Sequence, residues 1–421
     1  MRILLTSSAS HLPPRGGSTR GNLAWLEYLS HSGHDCRVVG GVAPAHSAEG
    51  LARVCRELQE EGLDPPAGES ADLYRGIRIY SASKPEAQAA LLREQIAVFH
   101  PDWVLVSSED LSHVLLKEAQ RQAPGRIVYL AHTPQFFPFG PASWNADITA
   151  AEIVAHAAGV IAIGNYMAEY IHSHCGRRPA VIHPPIYGEP PFPVRGRFGP
   201  GAITMINPSA VKGISIFLAL ADALPNERFA ALPGWGTTER DRANLRARAN
   251  ITVLPNCRNI DEVFQKARIL LMPSLWLEGF GLAVVEAMLR GIPVIASNSG
   301  GLQEAKLGTG FIVPVRQIDS YELEFDDQGM PAAAIPDQDL TPWRQALSAL
   351  TGDRASYDRE AALSRNAALE FVAGLRASHF ESLLASLTVA PEAPATATRG
   401  NIGGLSPERR ALLLRRLRKQ S

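Results

Sequence analysis

The stretch SLWLEGFGLAVVEAMLRGIP, residues 274–293, carries two glutamates, Glu278 and Glu286, with seven residues between them. Glu278 adjoins a Gly-Phe-Gly turn, and Glu286 falls in an otherwise apolar run. RILLMPS (268–274) reads as a strand, EGFGL as a turn through Gly279, and LAVVEAMLRG as a helix ending at Gly291. The amides of Phe280, Gly281 and Leu282 then lie at a helix N-terminus, where the dipole and the free N–H groups favour an anion such as phosphate. The dipole alone contributes roughly 0.3–2 kcal/mol, so a phosphate site also calls for a cation. Lys212, in MINPSAVKGISIFLALADAL, stands at the start of another helix and is the candidate. Each charge-assisted hydrogen bond from it would contribute roughly 1.5–3 kcal/mol. A lysine–glycine pair by itself also suits a solvated loop. About one and a half turns into its helix, Glu286 could accept hydrogen bonds from two ribose hydroxyls or pair with a buried base. Glu278 could hold hydroxyls of a sugar beyond the phosphates or be a surface acid.

Strand–helix alternation must position these groups. RILLTS (2–7), CRVVGG (36–41), IRIYS (77–81), WVLVSS (103–108), IVYLAH (127–132) and GVIAIG (159–164) are continuous apolar runs, the pattern of buried parallel strands. HPPIYGEPPFPVRGRFGPG (183–201) breaks the pattern, which restarts at AITMIN (202–207) and runs through RFAALPG, NITVLP, RILLMPS, PVIAS and GFIVPV. The reading is an α/β protein of two Rossmann-like, doubly wound domains, residues 1–190 and 191–387, the second with an acidic insertion and closing helices. An Ala/Pro/Thr/Gly linker (388–404) and a basic amphipathic helix (405–421) follow, the helix start marked by Ser406, Pro407 and Glu408.

The 421 residues are 46% hydrophobic and 20% charged, with a formal net charge of −1, which gives no overall attraction to nucleic acid. Cys36, Cys55, Cys175 and Cys257 are scattered, without a CxxC pair, so neither a disulfide scaffold nor a zinc site is expected. No stretch approaches the roughly 20 apolar residues of a membrane span, and a cytoplasmic protein is expected.

In context, EGFGLAVVE resembles the Glu-x7-Glu motif of retaining glycosyltransferases with the GT-B fold, in particular glycosyltransferase family 4. Pro273-Ser274, Glu278, Gly279-Phe280-Gly281, Glu286-Ala287-Met288, Gly291, Pro293-Val294, Ala296, Gly300-Gly301 and Glu304 carry the likeness. Gly16-Gly17 resembles the family's N-terminal glycine loop beside the donor phosphates, and His132 the histidine near the donor sugar. The resemblance implies two domains facing across a cleft and a nucleotide-diphosphate sugar, UDP- or GDP-linked, as donor. It further implies Glu286 on the ribose, Glu278 on the transferred sugar, Lys212 on the diphosphate, and transfer to a hydroxyl with retention. No tightly bound cofactor or metal is implied; FDDQ (325–328) lies in the insertion rather than where a DxD motif would stand.

One position departs from the family. Where Gly-Arg usually ends the first strand of the second domain, this chain has Ile206-Asn207 followed by Pro208. Asn207 can donate a hydrogen bond but brings no charge; Arg15, Arg20 and Arg258 are the candidates to supply it. Phe136, Phe137 and Phe139, in HTPQFFPFGP (132–141), either line an acceptor site or pack a loop. The tail LSPERRALLLRRLRK resembles helical segments beside non-ribosomal peptide synthetase modules, implying a docked peptide or polyketide acceptor, free or carrier-bound. Its basic amphipathic pattern also suits an anionic lipid surface, with a lipid or cell-surface glycan acceptor, or a solvated appendage. A glycoside hydrolase using two glutamates, a nucleotide-sugar epimerase and a non-catalytic nucleotide-sugar binder are the competing readings.

Overall fold

A computed structural model describes residues 1–14, 16–42, 48–60, 62–63, 70–257 and 259–390. The chain divides into two compact units: residues 1–186 together with the segment from Arg376, and residues 187–375.

The first unit is built on β1 (Arg2–Ser10), α1 (Gly16–His31), β2 (Asp35–Gly41), α2 (Ala48–Glu60), β3 (Ser70–Tyr74), β4 (Ile77–Ala82), α3 (Pro85–Phe99), β5 (Trp103–Ser107), α4 (Val114–Gln122), β6 (Ile127–Ala131), α5 (Ile148–Ala155), β7 (Gly159–Ala162), α6 (Asn165–Cys175) and β8 (Ala180–Val181). Its sheet runs β3-β4-β2-β1-β5-β6-β7-β8. All pairings are parallel except β3 with β4, an antiparallel edge that no apolar run announces. β5 and β6 are buried at every residue, as strands covered by helices on both faces must be.

The second unit contains β9 (Ala202–Ile206), α7 (Ile214–Ala223), β10 (Phe229–Leu232), α8 (Glu239–Arg246), β11 (Ile251–Val253), α9 (Asp261–Phe264), β12 (Ala267–Met272), α10 (Leu282–Leu289), β13 (Val294–Ser297), α11 (Leu302–Ala305) and β14 (Ile312–Val313). Its six strands are all parallel, in the order β11-β10-β9-β12-β13-β14. Counted from its own first strand this is 3-2-1-4-5-6, the Rossmann order, with its reversal between β9 and β12. Helices α12 (Thr341–Gly352) and α13 (Arg354–Gly374) close the unit, and Trp343 and Tyr357 join a core with Phe217, Phe229 and Leu271. The acidic insertion is an antiparallel hairpin, β15 (Tyr321–Phe325) and β16 (Pro331–Ala333).

The last described helix corrects the expected domain limits. The sequence places everything from 191 to 387 in the second domain, but α14 (Ser378–Ser386) packs on the first unit. Phe380 stacks on Trp25 with ring centroids 4.7 Å apart, and the Trp103 indole N–H donates to the Leu384 carbonyl at 3.0 Å. Glu381 accepts from His34 Nε2 at 2.8 Å and from the Tyr28 hydroxyl at 3.2 Å. Helical periodicity shows which face of a segment is apolar, but not which sheet that face will cover. The 405–421 segment and most of the 388–404 linker lie outside the described residues.

Candidate functional site

In an open α/β sheet, ligands bind beyond the carboxyl ends of the strands, where the strand order reverses. In the second unit the flanking loops are 207–213, after β9, and 273–281, after β12. These loops hold Asn207, Lys212, Glu278 and the Gly279-Phe280-Gly281 turn.

The two loops are joined through their backbones. Leu275 N–H donates to the Val211 carbonyl at 2.9 Å. Gly213, the N-cap of α7, has φ +82°, and a Cβ there would run into the Pro273 carbonyl. The close approach brings Lys212 Nζ to 2.7 and 2.8 Å from the two oxygens of Glu278. Ser274 Oγ donates to Glu278 Oε1 as well. The Lys212 ammonium lies 4.4 Å from the Trp276 ring centroid and 6.0 Å from that of Trp235. Lysine, carboxylate and two indoles therefore meet at one point.

α10 begins beside them with Gly281 as N-cap, at φ +116° and without a side-chain cap. Leu282, its first residue, is partly exposed. Glu286 is buried within α10, and the Arg290 guanidinium donates to the Glu286 carbonyl at 2.8 Å. Arg290 and Arg195 both pair with Asp261. Burial pushes the Asp261 carboxyl up, but the hydrogen bonds and charges of the two arginines hold it below its ordinary value. This cluster fixes the C-terminal end of the helix that carries Glu286.

Asn207 occupies the place of the absent arginine with φ +55°, a left-handed conformation that asparagine tolerates better than most residues. Its Oδ1 accepts from Gly236 N–H at 3.0 Å, and a Cβ on Gly234 would lie 2.6 Å from that same oxygen. The Gly234-Trp235-Gly236 loop thus wraps around Asn207 and leaves Trp235 37% exposed next to Lys212. Asn207 Nδ2 and Ser209 Oγ are buried without a hydrogen-bond partner among the described residues. Of the candidate replacements for the arginine, Arg20 lies in α1 of the first unit, while Arg15 and Arg258 fall outside the described residues.

At the corresponding reversal of the first sheet, between β1 and β5, α1 opens with Gly16 at φ +89° and Gly17. His132, just after β6, is buried, and its Nε2 is 2.8 Å from Asn22 Oδ1 of α1. Asn22 Nδ2 donates to Ser107 Oγ at 3.1 Å, and Ser107 Oγ donates to Glu109. Burial lowers the pKa of His132, against the opposing charge of Glu109. His11 is also buried, and desolvation lowers its pKa to about 4.

The phenylalanines divide. Phe137 and Phe139 are core residues: the Phe137 ring lies 6.1 Å from Tyr129, 5.4 Å from Phe139 and 6.0 Å from Tyr170. They pack a loop rather than line an acceptor surface. Phe136 is partly exposed, edge-on to Trp144 at 5.4 Å. In FDDQ, Asp326 accepts from the backbone N–H groups of Gln328 and Met330 and so closes the hairpin turn. Trp235, Trp276 and Asn22 escaped the sequence reading, and Ser274 entered it only as part of the motif, without a role. Only Ser274 and Trp276, inside the motif itself, carried a signal that could have found them.

The described residues form two Rossmann-like units, the GT-B fold. HepE of Anabaena, solved in complex with UDP and glucose, matches it with a TM-score of 0.62 at 16% identity, over 92% of this chain and 100% of that one. Residues 15–187 match the family model described as glycosyltransferase family 4, and residues 211–327 the model described as glycosyl transferases group 1. The chain belongs to this glycosyltransferase family. An uncharacterized 42.6 kDa protein in the cps region of Klebsiella pneumoniae is 30% identical over 121 residues, 28% of this chain. A D-inositol 3-phosphate glycosyltransferase of Corynebacterium diphtheriae is 35% identical over 109 residues, 23% of this chain. The matches span 32% and 25% of the length of these two curated relatives.

Proposed function

We propose that the protein transfers a glycosyl group from a nucleoside-diphosphate sugar to a hydroxyl acceptor, with retention of the anomeric configuration. The observation that carries this reading is the meeting of Lys212, Glu278 and the uncapped N-terminus of α10 at the strand-order reversal of the second sheet. The diphosphate competes with Glu278 for the Lys212 ammonium. Once Lys212 turns to the phosphates, Glu278, still held at Oε1 by Ser274, can accept from hydroxyls of the transferred sugar. Glu286 takes the ribose hydroxyls. The bond from the anomeric carbon to the phosphate oxygen breaks, and its electron pair leaves with the diphosphate. The acceptor oxygen bonds to the anomeric carbon on the same face, and its proton passes to the departing phosphate. Lys212 and the α10 amides stabilise the charge that develops on the leaving group. The reading assigns this task to protein groups rather than to a metal ion, so turnover should survive chelation by EDTA.

UDP-linked donors are the first choice, supported by the UDP and glucose bound to HepE; GDP-linked donors are the alternative. Four free cysteines support a cytoplasmic setting, and no helix of the described residues is long and apolar enough to cross a membrane. The acceptor reading rests on the tail: a peptide- or polyketide-type metabolite, free or on a carrier, with a lipid or surface glycan second. Removal of 404–421 should reduce transfer to carrier-bound but not free acceptors; loss of liposome sedimentation instead would favour the lipid reading.

Calorimetric titration with UDP and GDP tests the donor site. One nucleotide should bind the wild type and fall sharply in Glu286→Ala. Failure of both to bind would mean that Asn207 marks a lost diphosphate site, and a reading with a different donor or ligand would take its place.

A further inference from the structure

The first unit holds a polar network whose direction can be read atom by atom. The Glu109 carboxylate can only accept, so Ser107 Oγ spends its single hydrogen on it. Ser107 Oγ must then accept from Asn22, which it does from Nδ2 at 3.1 Å. That fixes the Asn22 amide, with Oδ1 facing His132 Nε2 at 2.8 Å. An amide oxygen has no proton to give, so the Nε2 of His132 carries the hydrogen. Asn22 and Ser107 are fully buried, so water cannot substitute for either partner. The His132 backbone is held too, its N–H donating to Ser108 Oγ at 3.1 Å. Gly21 of α1 lies against the same ring: a Cβ there would sit 3.9 Å from His132 Cε1. The ring makes no other hydrogen bond among the described residues, so Nδ1 keeps its lone pair.

We propose that Asn22, Ser107 and Glu109 are positioning residues that hold His132 as its Nε2–H tautomer, so that Nδ1 accepts a hydrogen bond from a substrate hydroxyl. The substrate half of this inference rests on the transfer reading above. A neutral imidazole offering a lone pair recognises a donor and repels an anion. His132 therefore addresses a hydroxyl of the sugar or acceptor, not a phosphate oxygen. The neutral ring fits its surroundings: burial disfavours the imidazolium, and among the described residues Glu109 favours protonation while His11 opposes it. Asn22 is the telling member. An aspartate there would accept the same Nε2–H but would also stabilise the imidazolium; the amide holds the tautomer without adding charge.

Histidine-selective 15N labelling of the full chain, with His132→Gln to assign the signal, reads the tautomer directly. The wild type should show Nε2 protonated and Nδ1 unprotonated from pH 6 to 9. Asn22→Ala should mix the tautomers and lower kcat by about 10- to 100-fold, the usual cost of a loosened catalytic group, with UDP or GDP affinity unchanged. Asn22→Asp should keep the tautomer and move the acidic limb of the kcat–pH profile to higher pH. A wild-type ring protonated at Nδ1 would overturn the inference, as would an Asn22→Ala protein with unaltered tautomer and kcat. A wild type with the Nε2–H ring but no turnover on any nucleotide sugar would overturn the transfer reading and the hydroxyl assignment, leaving the tautomer assignment standing.

Discussion

The two units share the order of six parallel strands and load its reversal with opposite chemistry. The second unit places a lysine, a carboxylate and an uncapped helix end there, with two indoles around the cation. The first places a buried histidine, asparagine and serine beside its own reversal, chained to the Glu109 carboxylate. One fold thus supports two tasks, because the sheet fixes where a site can be while the loops decide what it holds. A charged reversal suits a ligand that is itself an anion. A neutral, directional one suits hydroxyls, which must be oriented rather than neutralised.

The contrast can be broken by experiment. Lys212→Ala should lower kcat/KM for the donor by about 1,000-fold, since it removes charge-assisted bonds made to the developing leaving-group charge. His132→Gln should instead lower turnover with nucleotide affinity unchanged by calorimetry; equal losses of affinity in both variants would erase the distinction between the units. The tryptophans separate packing from binding. Trp25→Ala removes a buried ring stacked under α14 and should cost about 3–5 kcal/mol by urea denaturation. Trp235→Ala, at the exposed loop beside Lys212, should stay within about 0.5 kcal/mol of wild type.

Acid should single out the first unit. His11 has its folded pKa lowered to about 4 by desolvation, against 6.5 unfolded. Between those values the unfolded chain binds the extra proton, so stability is full above pH 6.5 and falls as pH drops towards 4. The loss is about 3 kcal/mol. His132, shifted in the same direction, adds to it. Thermal melts of wild type and His11→Gln from pH 4 to 7 should converge at the acid end, and parallel curves would remove His11 from this account. Glycine variants sharpen the loop geometry of the second unit. Gly213→Ala should destabilise by roughly 1–3 kcal/mol, through both its left-handed backbone and the Pro273 carbonyl. Gly33→Ala, at φ +85° with open space around it, should cost about 1 kcal/mol.

Much of this site was legible in the residues. The strand–turn–helix pattern gave β12, the Gly279-Phe280-Gly281 turn and α10, and so placed Glu278 before a helix start and Glu286 within the helix. Lys212 was legible for the same reason. What the pattern could not give is that Lys212 and Glu278, far apart in sequence, hold each other directly through an ion pair. Nor could it show that Asn207 serves as the post around which the Trp235 loop turns. Phe137 and Phe139 turned out to pack the loop, because aromatic residues in a Pro-rich loop look alike whether the loop lies against solvent or core.

Local periodicity and turn chemistry act over a few residues, and a sequence carries them in full. They settled the α/β class, most of the strands of both sheets, the break between the repeats and the glycine turn at α10. Tertiary structure decided whatever depends on two distant segments meeting. It sent α14 back to cover Trp25, paired Lys212 with Glu278, and chained His132 through Asn22 and Ser107 to Glu109. The strand orders set the last two of those meetings, because parallel crossovers bring the segments after β1, β5 and β6, and the loops after β9 and β12, side by side.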